Sequence, residues 1–152
     1  DVVKIPKAVL SPVNLNELIK SMTRFMEVMC LKRDIKLIFI PDETLPLLQI
    51  DASLFEQVLL NIIKNSVESI DQNGEITITT NAQKHTLEIA DTGKGISKEI
   101  ESKLFNPFFS SKPMGQGLGL LFIREVLTQH DCNFSLRTYD DGLTRFVMKF
   151  GG

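Results

Sequence analysis

Asn61 and Asn65 stand four residues apart in a segment of helical period, so their amides share one helix face. Two such amides could converge on a hydrated Mg²⁺, which takes oxygen ligands and keeps several waters when phosphates share it. They could equally satisfy the backbone of a neighbouring loop. Further along, Asp91 closes a run of alternating residues and is followed by Thr92, Gly93, Lys94 and Gly95. The glycines let the backbone approach a flat ligand closely, and the carboxylate can accept a hydrogen bond from an exocyclic amine such as that of adenine. Asp, Thr and Gly are also ordinary residues of a turn at a strand end. Gly115, Gly117 and Gly119 then lead directly into an apolar helical pattern, where free N–H groups and the positive end of the helix dipole could receive phosphates. A hinge for a lid would use the same glycines.

The elements that must carry these residues are legible from spacing. Leu15, Leu18, Ile19, Met22, Phe25, Met26 and Met29 recur by threes and fours after Asn14, with Glu17 at the third helical position, which predicts a capped amphipathic helix. Ile35 to Ile40 predicts a short strand closed by Pro41 and Asp42, and residues 47–50 a second one stopping at Asp51. Asp51 caps the next helix. There Leu54, Val58, Leu59, Ile62 and Ile63 face a core, while Gln57, Asn61, Asn65 and Glu68 form a polar stripe unusually rich in amides. Residues 71–74 (DQNG) end that helix. A hairpin follows, with Ile76 and Ile78 inward on its first strand and Leu87 and Ile89 on its second. Residues 92–116 are rich in Gly, Ser, Lys and Pro, and a loop of that length in a compact domain tends to be functional. A third long helix begins near Gly117, and a hairpin turning at Asp140, Asp141 and Gly142 closes the chain.

These elements predict an α/β (α+β) two-layer sandwich, with a mixed, mostly antiparallel sheet, helices on one face and no βαβ alternation. At 152 residues, 43% hydrophobic and 24% charged, the chain has the size of one domain. The formal net charge of -2 gives no electrostatic reason to expect a nucleic-acid backbone as main partner, because that binding rests on neutralising many phosphates, and no nucleic acid is expected. No apolar run approaches the roughly 18 residues needed to span a bilayer, and no signal segment opens the chain, so a soluble domain without direct membrane contact is expected. There is no GxxxxGK[ST], and the glycines do not follow a strand in GxGxxG spacing. Cys30 and Cys132 have no CxxC partner and are expected as buried free thiols; His85 and His130 lack the neighbours of a catalytic histidine.

Four segments taken together, NIIKNSVESI (61–70), DTGKGI (91–96), LFNPFFSSK (104–112) and GQGLGL (115–120), resemble the N, G1, F and G2 boxes of the catalytic ATP-binding domain of sensor histidine kinases. The resemblance runs from about Pro12 to the end and reaches the wider gyrase, heat-shock chaperone and MutL ATPase superfamily. It implies the Bergerat ATPase fold and the cofactors ATP and Mg²⁺. By position it implies that Asn65 is the Mg²⁺ ligand, with Asn61 one turn before it. Asp91 matches the acceptor of the adenine amine, Gly93 and Gly95 with Ile96 the adenine side, and Gly115, Gly117 and Gly119 with Leu118 the phosphate side. Hydrolytic relatives have a glutamate at the position of Asn61; an amide is no strong base, which points to phosphoryl transfer rather than hydrolysis.

Glu68 departs from the pattern, since many histidine kinases have a lysine there, and Lys112 is expected to supply the missing positive charge, as in the nitrogen-regulator type that PFFSSK resembles. Phe105, Phe108 and Phe109 suit either a lid folded into the core or a docking patch. No HE-x-x-x-P phosphoacceptor box is present. The implied organisation is a linker over residues 1–10, from a dimerisation and phosphoacceptor region, then a catalytic domain over 11–152 with its lid at about 97–116. The implied partners are ATP, that histidine domain of the same parent protein, and the receiver domain of a response regulator, in the cytoplasm. The alternatives are a nucleotide-binding switch without phosphotransfer and a Bergerat ATPase or serine-directed kinase.

Overall fold

The computed structural model describes residues 5–105 and 117–151. Along the chain run β1 (Ser11–Val13), α1 (Leu15–Leu31), β2 (Ile35–Ile40), β3 (Leu48–Ile50), α2 (Ala52–Ile70), β4 (Gly74–Asn81) and β5 (Thr86–Asp91). They are followed by α3 (Lys98–Glu101), α4 (Gly117–Gln129), β6 (Asn133–Thr138) and β7 (Thr144–Lys149). Both predicted caps form: Asn14 accepts from the Glu17 amide, and Asp51 from the Leu54 amide, each taking up a donor that the first helical turn leaves unsatisfied.

The main sheet has the order β2-β4-β5-β7-β6. Its inward residues Ile76, Ile78, Leu87, Ile89, Phe146 and Met148 are buried beneath Ile19 and Met26 of α1, Phe55 and Ile63 of α2, and Ile123 and Val126 of α4. α2 lies between the other two long helices and packs on both. Phe55 fills the centre, with ring centroids 5.7 Å from Phe150 and 5.8 Å from His130. The two-layer arrangement therefore forms as the hydrophobic periods require, and it puts the polar stripe of α2 beside the strand and helix ends that carry the glycine-rich segments.

The topology corrects one sequence expectation. The sheet is mixed and mostly antiparallel as expected, but it is not free of a βαβ connection: β2 and β4 are parallel, with Ile35 opposite Gly74 and Ile40 opposite Thr79, and α2 lies in the connection between them. The cause is β3. It leaves the main sheet to pair antiparallel with β1, Ser11 opposite Ile50, so the chain regains the sheet only after a helix, as parallel neighbours require. The remaining three neighbour pairs of the main sheet are antiparallel.

The segment before β1 is tied down. Gln129 at the end of α4 accepts from the Ala8 amide and donates to the Pro6 carbonyl, and the second carboxylate oxygen of Asp51 accepts from the Val9 amide at 2.9 Å. His130 joins this node: its Nε2 accepts from the Asp51 amide at 3.0 Å, which leaves Nδ1 as the donor to the Val126 carbonyl at 2.8 Å. Both ring nitrogens are thus taken up by the fold, which makes it a structural histidine as expected.

Candidate functional site

Three successive turns of α2 build one wall of the site. Asn61, Asn65 and Ser69 follow each other at four-residue intervals on one face. Asn61 donates through Nδ2 to the Gln57 carbonyl at 3.0 Å, which turns its carbonyl oxygen outward, and that oxygen lies 3.9 Å from where a side chain on Gly119 would begin. The first turn of the wall thus meets the first turn of α4, whose start at Gly117 agrees with the predicted helix. Ser69, two turns on, meets the loop after β5: the Lys94 amide donates to its carbonyl at 3.2 Å. Asn65 lies between these two contacts, half-buried, and its side chain makes no hydrogen bond among the described residues.

The loop after β5 explains its own glycines. Asp91 is 5% exposed and paired in the sheet with Ile76 on one side and Thr144 on the other. Its Oδ1 accepts from the Gly93 amide at 2.8 Å. A Cβ on Gly93 would fall 2.2 Å from Ser69 Oγ and 2.8 Å from Asp91 Oδ1, so only glycine lets this loop close onto α2. Gly95 has φ +83 and passes within contact distance of the Thr138 side chain. Next to it, the Ile96 amide donates to Thr138 Oγ1 at 2.7 Å. That oxygen is 2.8 Å from Thr144 Oγ1, and the Thr138 amide donates to Glu101 Oε2 at 3.0 Å.

Of the predicted residues, the structure brings together Asn61, Asn65, Asp91, Gly93, Gly95, Ile96 and Gly119, with Gly117 opening α4 in the same helix that carries Leu118. Lys112 and Gly115 lie outside the described residues, as do Phe108 and Phe109 and most of the predicted lid; its start contains the short helix α3. Phe105 packs edge-on to Phe134 and Phe146 at 5.1 and 6.1 Å, which makes it a core residue at the root of the predicted lid. There the Phe105 carbonyl accepts from Arg124 Nη1 at 2.8 Å. Sequence reasoning missed Ser69, Glu101, Thr138 and Thr144. Ser69 continues the four-residue stripe of Asn61 and Asn65 and could have been found that way; two threonines in strands carry no such signal.

The chemistry open to this arrangement is limited by its donors. Among the described residues no group of three or more His, Cys, Asp or Glu side chains would hold a metal. The amide oxygen of Asn65 is a hard neutral ligand that fits a cation sharing its coordination with water and phosphate, such as Mg²⁺, rather than a transition metal. The Cys132 thiol is pushed up to about 12 by burial and Cys30 is raised by the same cause, so neither serves as a nucleophile here.

A layer of helices on one face of a mixed sheet, a buried carboxylate at a strand end and an amide stripe facing two glycine-rich segments define a class of ATPase-fold nucleotide sites. The chain belongs to the family of histidine kinase-, DNA gyrase B- and HSP90-like ATPases, whose pattern matches residues 50–151. It is 31% identical over 150 residues to the sensor histidine kinase ZraS of Escherichia coli O157:H7, covering 97% of this chain and 33% of that protein. With the C4-dicarboxylate transport sensor protein DctS of Rhodobacter capsulatus it shares 29% over 154 residues, 97% of this chain and 23% of the relative. The chain thus spans a third or less of the length of these curated relatives. Among solved structures, the nucleotide-free catalytic domain of histidine kinase ThkA superposes with a TM-score of 0.81 at 28% identity, over 93% of this chain and 95% of that one. The fold is that of a histidine kinase catalytic domain.

Proposed function

We propose that residues 11–152 are the catalytic domain of a sensor histidine kinase, transferring the γ-phosphoryl group of ATP to a histidine on a separate dimerisation domain, with residues 1–10 leading in from it. The observation that carries this reading is the α2 wall: Asn61 reaches the start of α4, Ser69 holds the Asp91 loop, and Asn65 stands open between them. A nucleotide laid along that wall has its base at Asp91 and its phosphates at α4. Asp91 accepts the exocyclic amine of adenine, Gly93, Gly95 and Ile96 flank the base, and Gly115, Gly117, Leu118 and Gly119 present backbone amides to the phosphates. Lys112, which replaces a cation at the Glu68 position, compensates phosphate charge.

Asn65 would hold Mg²⁺ through its amide oxygen, and the ion, when bound, neutralises charge across the phosphate oxygens. Asn61 orients that group and has no basicity with which to activate water, so transfer to a protein acceptor is favoured over hydrolysis. Catalysis is otherwise positioning and exclusion of water. The downstream partner is a response-regulator receiver domain, and the setting is the cytoplasm, where ATP is available.

The test is to mix the chain with a separately produced dimerisation domain and γ-labelled ATP. Acid-labile, alkali-stable label on that domain's histidine, lost in Asn65→Ala, is the expected result. Steady release of phosphate without label would favour an ATPase instead, and nucleotide binding with neither would favour a switch module.

A further inference from the structure

From the hydrogen bonds around β6 we infer that Thr138 is a positioning residue for nucleotide binding: it holds the adenine-side loop in its binding shape and fastens that loop to the root of the lid. The inference rests on the proposed nucleotide site and adds to it a residue that touches none of the ligand. Thr138 has three separate attachments. Its Oγ1 accepts the Ile96 amide at 2.7 Å, the same oxygen lies 2.8 Å from Thr144 Oγ1, and its own amide donates to Glu101 Oε2 at 3.0 Å.

Each attachment leads to a different part of the site. Ile96 follows Gly95, whose positive φ carries the chain so close to Thr138 that a Cβ there would lie 3.2 Å from the threonine oxygen. Thr144 is 3% exposed and stands in register opposite Asp91 on the neighbouring strand. Glu101 is the last residue of α3, with a side chain only 14% exposed and its other oxygen 3.7 Å from Lys98, so it anchors the described start of the lid to the sheet. One hydroxyl therefore sets the Gly95–Ile96 turn and, through Thr144, the surroundings of Asp91. A hydroxyl can accept one bond while donating another, which a methyl group in its place cannot do.

Thr138→Val keeps the shape and removes the hydroxyl, while Thr138→Ser keeps the hydroxyl. The expected result is that the Val variant loses amide-exchange protection at Ile96 in the unliganded protein and binds ATP about tenfold more weakly, as loss of one positioning hydrogen bond allows. The Ser variant should retain both. A residue that served stability alone would lower the melting temperature and leave the affinity of the folded protein untouched. Should the Val variant fail to fold, Glu101→Ala and Glu101→Gln carry the test, since only glutamine can still accept from the Thr138 amide. ATP binding within twofold of wild type in Thr138→Val, or equal affinities in the two Glu101 variants, overturns the inference. A wild-type chain that binds no ATP overturns the nucleotide site itself, whereas the Ile96 exchange measurement judges the positioning without any ligand.

Discussion

At the scale of single residues, Asp91 and Gly93 act as a pair. The carboxylate accepts from the Gly93 amide with one oxygen, and the glycine is compulsory because Ser69 occupies the space a side chain would need. Gly93→Ala should cost about 1–3 kcal/mol through overpacking, read as a fall in melting temperature. Asp91→Asn should leave the fold intact, since an amide oxygen can still accept from Gly93, yet weaken ATP by roughly 10–100-fold, because the amide can present its donor where adenine also donates. The thiols make a third case. Burial raises both Cys30 and Cys132, so neither should react with an alkylating reagent at pH 8 until the protein is unfolded. For Cys132 the sign follows from a native value above the unfolded one: its contribution is complete below about pH 8.5 and is lost as pH rises towards 12.

At the scale of elements, Asp51 is the joint. It caps α2 through Leu54, receives the incoming strand through Val9 and donates its amide to His130 at the end of α4. Hydrogen bonds from the Val9 and Leu54 amides hold its carboxyl below the ordinary carboxylate range. The native state therefore binds that proton less readily than the unfolded chain, so the stabilisation is complete above the unfolded value near 4 and disappears as pH falls through the native one. Asp51→Ala should cost about 1 kcal/mol at neutral pH as a lost cap, and the loss should shrink in melts at about pH 3. Asp51 and Asn14 were legible as caps because cap chemistry is local, read from one residue and the helix after it. The β1–β3 pair and the parallel β2–β4 pair were not, because pairing partners 35 to 39 residues apart are chosen by packing and leave no mark on a short apolar run. In the same way the amide stripe of α2 exposed Asn61 and Asn65, while Thr138 and Thr144, alternating strand residues like any others, became visible only once β5, β6 and β7 lay side by side.

At the scale of the whole molecule, one central helix does two tasks. The apolar face of α2 holds the core together through Phe55, Leu59 and Ile63, and its polar face spans the distance from the Asp91 loop to α4. Stability and site geometry therefore share an element, and a nucleotide bridging both ends of the wall should raise the melting temperature by mass action in proportion to the logarithm of its concentration. The proposed arrangement puts adenine at Asp91 and Mg²⁺-assisted phosphates at α4. Its most direct measurement is a calorimetric titration of the chain with ATP, with and without Mg²⁺, beside Asp91→Asn. Saturable binding that strengthens with Mg²⁺ and is roughly 10–100-fold weaker in the variant is the predicted result; equal binding by the variant, or none by the wild type at millimolar ATP, would contradict it.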